Sequence, residues 1–171
     1  MDKMTPTERI ADLYRAATVK DAWYGPSLAA LLKDIPPEMA TTAPVPGAHT
    51  IGELLQHLLL WNERVRNTLA GSPMPKWEPE KEWAEPPIPW KELIVRWEQS
   101  RDALEQSMRE FPSEDAAKTV PGRNYSHEVL LEGIVQHVIY HSGQIAMIAS
   151  MLRSRARMQG SASFGGTDRT L

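Results

Sequence analysis

The chain has no cysteine, which removes disulfides, iron–sulfur clusters, thiolate metal sites and a cysteine nucleophile from consideration. It has no apolar run near the roughly 18 residues that a bilayer span requires. The first residues, Met1-Asp2-Lys3-Met4, form no basic-then-apolar leader, so the expectation is a cytoplasmic protein without a membrane partner. Excess positive charge is also missing. The formal net charge is -3, which gives no electrostatic footprint for nucleic acid. The one basic cluster, Arg153, Arg155 and Arg157, falls where the chain reads as a tail. Neither a useful alternating strand pattern nor an internal repeat is present. What is present is ordinary globular material: 171 residues, 42% apolar and 24% charged, enough for one domain with a buried core.

Four segments carry a helical period. The first opens on the capping box Thr5-Pro6-Thr7-Glu8 and continues on Ile10, Leu13, Ala17, Tyr24, Leu28 and Leu31, with a kink or short break predicted at Gly25-Pro26. Residues 36–49 read as proline-rich and irregular. Thr50-Ile51-Gly52-Glu53 is a second capping box and starts a helix that stops near Ala70-Gly71, with its stripe on Ile51, Leu54, Leu55, Leu58, Val65 and Leu69. A long Pro/Trp-rich loop, about 72–88, holds Trp77, Trp83 and five prolines. Its tryptophans are expected to pin it to the rest, since burying an indole gains about 2–3 kcal/mol. A third helix is predicted from about Pro89 to Phe111 on Trp90, Leu93, Ile94, Trp97, Leu104 and Met108. The fourth, capped by Ser126, is predicted to reach about Arg153 on Leu130, Ile134, Ile145, Ile148 and Leu152. The domain is therefore expected over 1–153, with residues 154–171 a disordered tail. Four amphipathic helices imply an all-α four-helix bundle.

His137 and His141 fall in the middle of the fourth helix's apolar side. A separation of four residues stacks the imidazoles one turn apart, within reach of a single ion at about 2.0–2.1 Å. A buried imidazole without a partner costs about 1–3 kcal/mol, and two adjacent cations would repel; a shared metal removes both penalties. Two histidines seldom hold a metal tightly. His57, mid-helix and one turn before Trp61, is the candidate third ligand, although its place on the shoulder of the stripe also suits a boundary residue. His49 and His127 sit just outside helix starts, where capping or solvent accounts for them, and Glu53 reads as the capping-box carboxylate.

The segment His137-Val138-Ile139-Tyr140-His141-Ser142-Gly143-Gln144-Ile145 resembles the last helix of the DinB-like (damage-inducible) superfamily of metal-binding bundles. Three further blocks are similar: Ala22-Trp23-Tyr24-Gly25-Pro26-Ser27-Leu28, Pro46-Gly47-Ala48-His49-Thr50-Ile51, and Glu53-Leu54-Leu55-Gln56-His57 with Trp61. The resemblance spans roughly residues 7–152. It implies an up-down-down-up bundle and a three-histidine metal site on His57, His137 and His141. Many relatives carry histidine where Tyr24 stands here. The triad keeps all its members, but pocket chemistry that depends on that imidazole does not carry over.

Three nitrogen ligands leave positions open for water or substrate. An open ion can polarise a carbonyl or bring the pKa of a bound water or thiol near neutrality. The resemblance extends to thiol-dependent S-transferases and a maleylpyruvate isomerase, which use low-molecular-weight thiols such as bacillithiol or mycothiol. It therefore implies a metal-assisted transferase acting on a small-molecule substrate. Metal-dependent hydrolysis and a non-catalytic metal-binding or stress-response role are the alternatives. Zinc or nickel suits the nitrogen-rich site. Four further residues are candidate pocket components: Tyr24, Trp61, Arg101 and Gln144. Gln144 could orient a bound water or a ligand imidazole or bond a neighbouring helix. Arg101 could grip a substrate carboxylate or form a buried ion pair with Asp21. The tryptophan-bearing loop would suit a homodimer.

Overall fold

The structure is a computed structural model that describes residues 4–20, 22–76, 78, 82–83 and 86–163, with side chains as far as 159. Trp77 and Asp21 therefore lie outside the described residues. Both capping boxes form. In α1 (Pro6–Thr18) the Thr5 hydroxyl accepts from the Glu8 backbone while the Glu8 carboxylate accepts from the Thr5 backbone at 2.7 Å. Thr50 and Glu53 do the same for α4 (Ile51–Leu69), where Gly71, at φ 94°, turns the chain away from the helix end. Two short helices come between: α2 (Leu28–Leu32), capped by Ser27, and α3 (Pro37–Ala40), in the stretch expected to be irregular.

The first helical segment breaks around Gly25-Pro26 as expected, but it ends sooner and buries other residues than expected. It stops at Thr18, and residues 22–25 make a tight turn closed by a bridge between Ala22 and Gly25, with Gly25 at φ 147°. That backbone value and the following proline exclude a continuous helix, so Tyr24 sits on the turn, 45% exposed, beside a Trp23 that is 98% exposed. The buried face of α1 is Ile10, Ala11, Tyr14 and Ala17, and Leu13 is 49% exposed. At 100° per residue Leu13 lies to one side of the face that Ile10, Tyr14 and Ala17 share.

The long α5 (Trp90–Glu110) follows the connection after α4, then a single 3-10 turn at Ser113–Asp115, and finally α6 (His127–Ser163). Ser126 accepts from the Val129 backbone at 3.3 Å, as an N-cap should. α6 continues beyond Arg153, where the tail was expected to begin. Ser154-Arg155-Ala156-Arg157-Met158-Gln159 contains no helix breaker, and Arg153 and Arg155 donate to the carbonyls of Asp34 and Pro44, both at 3.2 Å.

The protein is all-α: among the described residues there are isolated bridges but no strand, and no helix is long and apolar enough to cross a membrane. α4 packs on α5 and α6, and α1 packs on the same two helices. Leu55 and Leu58 of α4, Trp97 and Leu104 of α5, and Leu131 and Ile145 of α6 are fully enclosed in the shared core. One polar chain crosses that core. Tyr14 of α1 donates to Asn62 of α4 at 2.8 Å, the Asn62 amide donates to Ser100 of α5 at 3.1 Å, and Ser100 donates to the Trp97 carbonyl. Burial pushes the Tyr14 phenol far up, so the hydroxyl keeps its proton and acts as a donor.

Candidate metal centre

α4 and α6 meet where their apolar faces each carry histidine. His57 and His141 are both 5% exposed and His137 is half-buried. The Nε2 atoms converge: His57 to His137 at 2.9 Å and His137 to His141 at 3.1 Å. One nitrogen from each ring lies within 4.8 Å of the others. The pairing of His137 with His141 comes from their one-turn spacing, and His57 is brought to them by helix packing across 80 residues of sequence.

The groups around the rings determine where their hydrogens sit. Nδ1 of His141 lies 2.6 Å from the Gln144 carbonyl oxygen, an acceptor, while the Gln144 amide donates to the Tyr140 hydroxyl at 3.2 Å. His141 therefore carries its hydrogen on Nδ1 and presents Nε2 as a bare lone pair. Nδ1 of His57 faces Oε2 of Glu82 at 3.3 Å, close but not aligned as a hydrogen bond. A carboxylate there also favours the hydrogen on Nδ1. His137 Nε2 can supply at most one hydrogen to two neighbouring lone pairs, and its own Nδ1 is buried without a partner. Three convergent nitrogens with too few hydrogens form a poor hydrogen-bond network and a good set of ligands. A metal–nitrogen bond of about 2.0–2.1 Å comfortably spans nitrogens roughly 3 Å apart.

Electrostatics support the same donor set. Burial, with the neighbouring rings adding to it, pushes His57 down to about 4 and His137 down to about 3; burial also lowers His141. The rings are thus neutral at neutral pH, the form that ligates.

The long connection supplies what sequence reasoning missed. Glu82 is fully buried on it and pairs with Arg64 of α4 through its other oxygen. Trp83 stacks in parallel on His57, with ring centres 4.3 Å apart, and on His49 at 3.8 Å. Trp83 does pin the loop, and it does so on the ring of His57. His49, expected to be a solvent or cap residue, is the other half of that stack. Neither Glu82 nor Trp83 sits in a periodic pattern, so only the size of indole hinted that the loop would close inward.

Of the remaining candidates, Trp61 lies beside the triad, its ring 5.3 Å from that of His137 and 6.2 Å from that of His57. Gln144 bonds His141 and Tyr140 of its own helix. Arg101 is buried on α5 and makes its ion pair with the adjacent Asp102 at 2.9 Å while lying over the Trp97 ring; it lines a recess with Arg15, Glu105 and Arg109. Tyr24 packs edge-on against Trp23 on its exposed turn. A more voluminous recess, 760 Å³, lies elsewhere, between Leu32, Ile35, Trp90 and Trp97. The chemistry, not the volume, singles out the histidines.

No curated protein and no solved structure shows significant similarity to the chain. A family model described as the DinB superfamily matches residues 25–145, which include all three histidines. The capped α4 with its buried histidine and the paired histidines of α6 fall within that match, and the chain belongs to the DinB superfamily.

Proposed function

We propose that the chain binds one divalent metal ion, zinc or nickel, through Nε2 of His57, His137 and His141, and uses it in a thiol-dependent transfer reaction. The convergence of the three nitrogens carries the reading, because no arrangement of imidazole hydrogens satisfies the 2.9 and 3.1 Å contacts together with the acceptors at Glu82 and Gln144. In this reading the four long helices run up-down-down-up.

When bound, the ion supplies Lewis acidity at its open positions, enough to favour the thiolate form of a small thiol near neutral pH. The protein's own residues hold the ligand set. Gln144 keeps His141 in the tautomer that ligates, Glu82 does so for His57, and Trp83 covers the His57 ring and keeps water from its face. The thiol's proton goes to solvent. Its sulfur forms a bond to an electrophilic carbon of the substrate, whose leaving group departs with the bonding electrons. Hydrolysis would call for a carboxylate free to take up a proton. Among the described residues, the carboxylate that faces the triad at Glu82 is fully buried, paired with Arg64, and placed at Nδ1 of His57 rather than at Nε2.

Metal analysis of unstripped protein tests the first half. The expected result is about one ion per chain, and near zero in His141→Ala; a metal-free wild type would overturn the reading. A cobalt-substituted sample titrated with small thiols tests the second half. A change in the visible absorption is expected, and an unchanged spectrum with every thiol would leave a metal-binding protein without the transferase activity.

A further inference from the structure

We infer that an apolar cavity beside His137 binds an uncharged aromatic group, and that Gly133 sets its size. The cavity measures 250 Å³ and is lined by Trp61, Val65, Tyr125, Leu130, Ile134 and His137. No Asp, Glu, Lys or Arg is among the lining residues. It joins α4 to the first turns of α6, so the ring of His137 is shared between the ligand triad and the cavity wall. A cavity of about 150 Å³ with apolar walls takes a benzene molecule, so this one has room for a substituted or fused ring. Trp61 and Tyr125 provide aromatic faces for stacking. A carboxylate or ammonium placed there would lose its hydration with no Lys, Arg, Asp or Glu in the lining to replace it.

Gly133 makes the site adjustable. It lies in the second turn of α6, one turn before His137, inside a helix where glycine is among the poorest formers, and it lines the same cavity. A Cβ built on it meets nothing within 4 Å. A larger side chain would therefore extend into open space, filling the cavity without displacing the core. A side chain introduced at position 133 would take up volume now open to a ligand.

The assignment of this cavity to the substrate rests on the metal-centre reading, but binding of an aromatic probe does not require the ion. The full-length protein would be titrated with toluene and, separately, with benzoate, in metal-free and metal-loaded samples. Amide shifts of Gly133 and the indole shift of Trp61 would be followed by NMR. Toluene is expected to shift both in either sample, benzoate to bind at least tenfold more weakly, and Gly133→Leu to weaken toluene at least tenfold with an unchanged fold and metal content. Gly133→Met serves the same purpose if the leucine variant does not fold. The inference is overturned if toluene leaves both resonances unmoved, if benzoate binds as tightly, or if the filled variant still takes toluene. A chain that takes toluene but holds no metal would sink the metal reading and leave the cavity standing.

Discussion

Oε2 of Glu82 stands 3.3 Å from Nδ1 of His57, on the edge of the ring opposite the nitrogen that points at His137. A carboxylate in that position fixes the ring's tautomer and makes its other nitrogen a stronger donor. Glu82→Gln is expected to weaken metal binding by about 10–100-fold, measured by competition with a chelator. It also leaves the Arg64 guanidinium without its buried partner, which destabilises the fold by roughly 3–5 kcal/mol. Adding Arg64→Met should recover much of the stability and none of the affinity. Full recovery of affinity in the double variant would show that Glu82 acts only as a structural counter-ion.

Trp83 offers a kinetic test. Its ring lies flat against His57 and His49, so Trp83→Ala should uncover the His57 imidazole. Release of metal to an excess of chelator is expected to speed up by about tenfold, since a second shell that controls solvent access typically changes affinity by that order. An unaltered release rate would mean that the loop does not guard the site.

The metal-free protein should be acid-sensitive in a defined window. In the unfolded chain a histidine takes up a proton near pH 6.5, whereas in the fold His57 does so only at about 4 and His137 at about 3. Between those values the unfolded state binds more protons, so stability falls as pH falls. The stabilisation is complete above pH 6.5 and is lost progressively on the way to pH 3–4, by on the order of a few kcal/mol. Urea melts of stripped protein at pH 7.5, 6.0 and 5.0 should show the midpoint moving down at each step. A midpoint that stays level would mean that the rings are not buried as neutral groups.

The polar chain through the core can be broken without touching the ligands. Tyr14→Phe leaves the Asn62 carbonyl oxygen buried without its donor, a loss of about 1–3 kcal/mol. For a domain of this size that corresponds to a melting temperature lower by roughly 2–10 °C. Metal content should not change, which separates this effect from damage at the triad.

The readable features are those fixed by local chemistry. The capping boxes at Thr5 and Thr50 involve residues three apart, and the pairing of His137 with His141 needs only one helical turn. His57 was readable as a candidate because it is an imidazole at the edge of an apolar stripe. Glu82, by contrast, is one of 22 acidic residues, and only the return of the proline-rich connection over α4 buries it. Leu13 and Tyr14 show the same limit on a smaller scale: both continue a helical period, and the position of α5 and α6 decides which one is enclosed. The continuation of α6 past Arg153 was missed because the apolar stripe ends there while helix propensity does not.

The chain has no sulfur–sulfur crosslink, yet residues 57 and 137 are held with ring nitrogens 2.9 Å apart across 80 positions of sequence. An ion gripped by both would tie a loop of that length, as a covalent staple does in secreted domains, and would restrict the unfolded chain much as a staple does. Stripping it should therefore loosen the join between α4 and α6 first, with faster amide exchange at that seam than across the contact between α1 and α5.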